Sequence, residues 1–320
     1  MSTHHDYREI SFTSNGIRCG AWHLTATSDE FTVAGTRPCI VMAHGFGGTR
    51  DTGLLSYVEG FASVGFDVLV FDYRGFGTSE GTPRQRVSYR RQREDYQAAI
   101  AAARALPGVD PDRIVLWGTS YSGGHVVPVA VDDGRIAAIL SLTPAMDGRA
   151  ALLAIARAHP TKLLPLVGNG VRDAVRALLR RKPHHLPIVG APGSTAMITA
   201  PGALEGYHAL AGPTWRNEVC ARAALEVAFN RPTRMASRLR TPMLVQIGEN
   251  DAVAPPAAAW KAANKAGSHA EVVTYPVNHF DVYEGTWQEQ ILGDQIDFLT
   301  RQLTLNESKA ESSNRKPASR

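Results

Sequence analysis

Three residue types that lie far apart in the sequence could together carry out acyl transfer: a serine on a strand-to-helix turn, an acid on a later loop and a histidine on the loop after that. The serine lies in "GTSYSGGH", residues 118–125. A nucleophilic serine must leave its strand on a sharp turn, so that its hydroxyl stands above the sheet edge, with small residues two before and two after it. Two frames qualify. Gly118-Thr119-Ser120-Tyr121-Ser122 has serine where a last glycine is expected, and Ser120-Tyr121-Ser122-Gly123-Gly124 is the same pattern shifted by two. The strand "DRIVLWG" ends at Gly118, which puts Ser120 on the turn and Ser122 in the first helical turn. Ser120 is the candidate nucleophile.

A serine hydroxyl is a weak nucleophile and needs a general base, itself oriented by an acid. "LVQIGENDAVAPP" ends a strand with Glu249 and Asp251, and "VVTYPVNHFDVY" ends the next with His279. Asp251 lies further out on its loop than Glu249 and is the better placed to reach over. The neighbouring pair His184 and His185 reads as solvated. An oxyanion formed on the substrate needs two backbone N–H donors. Tyr121 follows the nucleophile, and Phe46 lies in "AHGFGGTRD", where Gly45, Gly47 and Gly48 let the backbone approach. That loop lacks the Lys-Ser/Thr of a P-loop and the spacing of GxGxxG, so it is not read as a phosphate cradle. Cys19, Cys39 and Cys220 are widely separated and odd in number, which leaves no disulfide framework and no metal knuckle. The chemistry implies neither a metal nor an organic cofactor.

Eight strand signals position these residues: "YREISFTS", "IRCGAWHLT", "PCIVMAHG", "FDVLVFDYRG", "DRIVLWG", "RIAAILSLTPA", "TPMLVQIGEND" and "AEVVTYP". Most alternate with helical segments such as "VSYRRQREDYQAAIAAARALPG". The pattern predicts an α/β class chain with a mostly parallel eight-stranded sheet and helices on both faces. The rhythm breaks over residues 145–236, where "RAALLAIARA", "VRDAVRALLRR" and "VCARAALEVAF" read as helical pieces between loops such as "LPIVGAPGS". This stretch is expected to be a helical cap insertion over the carboxyl ends of the strands, where such sheets bind ligands. The core is then residues 1–144 and 237–303, and residues 304–320 form a disordered tail. Among the cap's apolar and aromatic residues, Met197, Tyr207 and Trp215 are candidates to contact a substrate.

The 320 residues are 44% hydrophobic and 20% charged, enough for a soluble domain with a sizeable core. A net charge of +4 is too weak to argue for nucleic acid. No apolar run approaches the roughly 20 residues of a membrane span, and the start "MSTHHDYREI" is polar, so the expected location is the cytoplasm. "RQRVSYRRQR", residues 84–93, holds five arginines, with Arg86, Arg90 and Arg93 at helical spacing. Such a patch would favour an acidic acyl carrier protein, and it also reads as an ordinary solvated face. Base rates for symmetric assemblies allow a homodimer.

Taken in order, "HGFGG", "DYRGFGTSEG", "GTSYSGG", "GEND" and "NHFDVY" resemble a serine α/β-hydrolase, across most of the chain outside the cap. Tyr121 after the serine resembles the G-x-S-Y-x-G elbow of the Xaa-Pro dipeptidyl-peptidase and cocaine-esterase group, although the chain is too short for the extra β-domain of those peptidases. The string "LPGVDPDRIVLWGTSYSGGHV", with "HFDVY" later, is closer still to the fumagillin-type polyketide transferases. "DYRGFGTS" also resembles epoxide hydrolases and dehalogenases, but those place a carboxylate where this chain has Ser120. The resemblance implies an α/β-hydrolase fold, Ser120, Asp251 and His279 as a triad, and Phe46 and Tyr121 as oxyanion donors. It implies a carboxylic ester hydrolase acting on a small to medium, largely apolar acyl substrate. The alternative is an acyl or polyketide transferase, or a thioesterase, using the same triad. A hydrolase fold kept for binding alone is the third reading, and the intact Ser/Asp/His order argues against it.

Overall fold

The Asn15-Gly16 pair makes the first turn. In the computed structural model, which describes residues 7–314 apart from residue 159, both have positive φ, 46° and 77°. A two-residue type I′ hairpin demands that conformation. It joins β1 (Arg8–Ser14) to β2 (Ile17–Leu24), with Ser14 opposite Ile17. The chain continues through β3 (Arg37–Ala43), α1 (Leu55–Ser63), β4 (Asp67–Phe71), α2 (Tyr89–Arg104), β5 (Val109–Thr119), α3 (Ser120–Asp133) and β6 (Ala138–Leu142). An inserted segment follows, built from α4 (Gly148–Ala158), α5 (Leu163–Leu178), β7 (His185–Leu186), α6 (Ala203–Leu210), β8 (Val219–Cys220) and α7 (Ala223–Glu226). The last elements are β9 (Met243–Gly248), α8 (Pro256–Ala266), β10 (Ala270–Tyr275) and α9 (Gly285–Asn314).

Eight strands form one sheet in the order β1-β2-β4-β3-β5-β6-β9-β10. The β1–β2 and β2–β4 pairs are antiparallel, and the remaining neighbours are parallel. The central strands read as unbroken apolar runs because both of their faces are covered. In β3, Cys39, Val41 and Ala43 join the core beneath α2, α3 and α8, while Ile40 and Met42 join the opposite core beneath α1 and α9. Trp117 on β5 is fully buried in the second core, and its indole N–H donates to Gln295 Oε1 of α9 at 3.1 Å. This two-sided burial holds the carboxyl ends of β5, β9 and β10 at fixed positions along one edge.

Two expectations are corrected. "VCARAALEVAF" is not one helix: Val219 and Cys220 pair antiparallel with Leu186 and His185, and only Ala223–Glu226 is α-helical. Buried Val219 and Cys220 are satisfied equally by a strand, and the pairing partner lies far away in sequence. The second concerns the tail. Helix α9 runs to Asn314, past residue 303 and into the stretch expected to be disordered. Residues 315–320 lie outside the described residues. Among the described residues no helix is long and apolar enough to cross a membrane.

Candidate active site

Strand β5 ends at Thr119, and Ser120 begins α3 with φ of +55°. Such a conformation costs a non-glycine residue about 1–3 kcal/mol, so the surroundings must hold it. Two contacts do so. The Ser120 carbonyl accepts from the Ala145 N–H at 2.8 Å, and the turn is so tight that a Cβ on Gly118 would lie 2.3 Å from the Ser122 carbonyl oxygen. A Cβ on Gly45 would stand 3.1 Å from the Ser120 Cβ, which explains the glycine that lets the β3 loop close over the serine.

The choice between the two serines is decided by what each hydroxyl touches. Ser122 is fully buried, donates to the His44 carbonyl and accepts from the Tyr73 hydroxyl at 2.6 Å. It is a strut between β3, the β4 loop and α3. Ser120 Oγ instead lies 3.0 Å from His279 Nε2, and His279 Nδ1 donates to Asp251 Oδ2 at 2.6 Å. Asp251 Oδ1 accepts the N–H groups of Val253 and Ala254 at 2.8 and 2.7 Å. Both ring nitrogens of the histidine are therefore assigned: the carboxylate can only accept, so Nδ1 carries the proton and Nε2 is free to receive one from Ser120. Asn278 ties the two loops together, its Oδ1 accepting from Ala252 N–H at 3.2 Å and from His279 N–H at 2.8 Å. Glu249, the rival acid, is exposed at the end of β9.

Phe46 and Tyr121 flank Ser120, their rings edge to face at 5.4 Å. Tyr121 is the second residue of α3, where a backbone N–H has no intrahelical acceptor. Among the described residues no hydrogen bond engages the Phe46 N–H, whereas its carbonyl accepts from the Tyr207 hydroxyl at 2.8 Å. Tyr207 thus pins the loop that carries Phe46. A second tie comes from Asp72 of "DYRGFGTSEG", which accepts from the Arg50 N–H at 2.8 Å and the Thr78 N–H at 3.0 Å, locking the two glycine-bearing loops together. Sequence reasoning did not find these supports, because each joins residues that only the fold makes neighbours.

A cavity of about 330 Å³ opens beside Ser120, within the range of small-molecule sites. Ala151, Leu152 and Ile155 of α4, Leu166 of α5, Met197, and Val253 make most of its wall apolar. Asn230 and Asp147 add polar groups to the lining. Burial alone would raise the Asp147 carboxyl, but hydrogen bonds from Arg231 at 2.9–3.0 Å hold it below its ordinary value. Of the three residues expected to contact substrate, Met197 lines this cavity and Tyr207 a smaller recess beside His279 and Ser120. Trp215 lines neither of these two cavities and stacks on Tyr207 at 5.0 Å. The arginine patch is also broken up. Arg93 turns inward to Asn230 Oδ1 at 2.6 Å, and Arg86 faces Glu226 at 3.6 Å, so the helical spacing does not become a free basic face.

An elbow serine, a histidine and a buried acid from three loops of one sheet edge is the arrangement of serine hydrolases. A family model described as Hydrolase_4, serine aminopeptidase S33, matches residues 34–279. The chain belongs to this serine α/β-hydrolase family. It is 40% identical over 92% of its length, and 94% of the other chain, to the quorum-quenching protein AidA of Acinetobacter baumannii. Over 34% of the chain and 35% of the other, it is 42% identical to the thiohydrolase aneE of Aspergillus aculeatus. The crystal structure of the α/β hydrolase GrgF from Penicillium sp. superposes with a TM-score of 0.76 at 24% identity, covering 93% of this chain and 99% of that one. The likeness to Xaa-Pro peptidases and cocaine esterases rests on the elbow alone.

Proposed function

We propose that the chain cleaves carboxylic esters with a small to medium, largely apolar acyl group, by way of an acyl-enzyme on Ser120. The observation that carries this reading is the unbroken Ser120–His279–Asp251 relay at the edge of an apolar cavity. Ser120 Oγ attacks the ester carbonyl carbon while His279 Nε2 takes its proton, and Asp251 holds the imidazole and steadies its positive charge. The carbonyl oxygen becomes an oxyanion between the N–H groups of Phe46 and Tyr121. His279 returns the proton to the departing alkoxide, which leaves as the alcohol. Water, deprotonated by the same histidine, then attacks the acyl-serine and releases the acid, and the serine regains its proton. The segment between β6 and β9 acts as a cap, with α4 and α5 walling the acyl chain.

A second reading is supported by the relatives' names, which span a quorum-quenching protein, a thiohydrolase and a polyketide transferase. The first half-reaction is the same for a thioester, and a bound acceptor can replace water in the second. Turnover of p-nitrophenyl esters and acyl thioesters, each against a Ser120→Ala variant, separates these outcomes. Serine-dependent ester hydrolysis supports the first reading. Hydrolysis of thioesters alone, or acylation of Ser120 without release until an acceptor is added, supports the second. Activity that survives Ser120→Ala overturns both.

A further inference from the structure

Helix α5 packs inward by one side and, among the described residues, leaves an apolar stripe without a partner on the other. Its inner side carries Leu166, which lines the cavity, Gly170 against Leu225, and Asp173, paired with Arg222 at 2.6 Å. Leu164, Val167, Val171, Val175 and Leu178 recur at intervals of three and four residues, so they form one continuous stripe along about 24 Å of helix. All are exposed, Leu164 and Leu178 by 82% and 83%. Leu179 and, on α4, Leu153 are exposed as well. A contiguous apolar surface of this kind marks an interaction site on a soluble domain.

The charge around the stripe says what covers it. Residues 148–183 contain eight Lys/Arg and one acid, while the rest of the chain is net acidic. That single acid, Asp173, is buried against Arg222, so the charge presented outward is positive. Arg172, Arg180, Arg181 and Lys182 are exposed on α5 and just beyond its end. A second copy of the same face would bring these cations together, which disfavours self-association. An amphipathic helix with an apolar stripe and Lys/Arg beside it matches an anionic lipid surface instead: the leucines and valines enter the acyl boundary, and the cations meet the headgroups.

We propose that α5 docks this enzyme peripherally on anionic membranes, lying in the interface plane with Leu164, Val167, Val171, Val175 and Leu178 toward the acyl chains. The same helix then has lipid on one side and the cavity wall on the other, which suits acyl substrates that partition into membranes. The surface stands independently of the catalytic reading, because its test measures binding.

The test is co-sedimentation with vesicles of phosphatidylglycerol and phosphatidylcholine in equal parts, against phosphatidylcholine alone, at low and high salt. Binding to the anionic vesicles should weaken with salt and fall by about tenfold or more on Leu164→Glu with Leu178→Glu or on Arg180→Glu with Arg181→Glu. These positions are exposed, and unchanged circular dichroism melting curves establish that the variants fold. Val171→Trp supplies a local reporter, whose emission should shift to the blue on anionic vesicles only. Equal binding to neutral vesicles, binding that both double variants retain, or no binding at all overturns the proposal. A dimer in sedimentation velocity that Leu164→Glu with Leu178→Glu dissociates would also overturn it, and would assign the face to a second copy.

Discussion

Replacing Asp251 by asparagine tests the direction of the proton relay with almost no change of shape. In the native site Oδ1 accepts from two backbone N–H groups, and Oδ2 accepts from His279 Nδ1. Asparagine keeps a single acceptor oxygen. Two backbone donors at 2.7 and 2.8 Å outnumber one imidazole donor, so the amide oxygen stays with Val253 and Ala254 and the amide NH₂ turns to the histidine. An NH₂ group cannot accept, so the imidazole must accept through Nδ1 and move its proton to Nε2. That proton then faces Ser120 Oγ across 3.0 Å, and the base has nothing with which to take the serine's hydrogen. The equivalent substitution in a chymotrypsin-type triad lowers kcat by about 10⁴, or about 5.4 kcal/mol of barrier. The expected result for Asp251→Asn is a loss of that order in kcat on a p-nitrophenyl ester, with KM little changed and a native melting curve. Turnover within tenfold of wild type would refute the assignment of Asp251 and of the tautomer it fixes.

Three further outcomes follow from particular contacts. Gly118→Ala places a Cβ 2.3 Å from a backbone oxygen, so it should destabilise the fold by about 1–3 kcal/mol in urea titrations and reduce turnover by displacing Ser120; a stable, fully active variant would contradict the tight elbow. Ala151→Phe should shift the acyl chain-length optimum shorter, since each methylene excluded from the apolar cavity forfeits about 0.8 kcal/mol, or about fourfold in kcat/KM; an unchanged profile would remove Ala151 from the acyl path. His125 is buried, and burial, then Arg93 and His44, hold its pKa well below the ordinary value. It is therefore neutral when folded but protonates in the unfolded chain below about pH 6.5. The unfolded state then binds more protons, so the contribution is intact above that pH and is lost on acidification, by up to about 1.4 kcal/mol per pH unit. His125→Phe should flatten the slope of stability between about pH 6.5 and 5.5, and an unchanged slope would mean the native histidine charges as freely as the unfolded one.

The sequence made the site legible to the extent that local rules govern it. A strand running into Gly118 and a serine two residues on is a short-range pattern, and the order of Ser120, Asp251 and His279 follows from successive strand ends on one sheet edge. The elbow's ambiguity was resolvable for the same reason: Ser122 falls inside the helix, and there its hydroxyl joins β3 to α3. Residues that support the site were not legible. Tyr207 reaches the Phe46 carbonyl across 161 positions of sequence, and Asp72 binds two loops whose meeting depends on the β4–β3–β5 order. Trp215 is a different case. A large aromatic in the inserted segment suggested a pocket wall, but its ring is used to back Tyr207. The short β7–β8 ladder was hidden too, because two-residue strands carry no periodicity and owe their form to the pairing partner.

During turnover Ser120 should become covalently acylated. Rapid quenching of the enzyme with a p-nitrophenyl ester, followed by intact-mass and peptide mass spectrometry, reads this directly. The expected result is a burst of p-nitrophenol and a single acyl adduct on the peptide carrying Ser120, both lost in Ser120→Ala. Steady turnover with no adduct, or an adduct on Ser122 in its place, would contradict it.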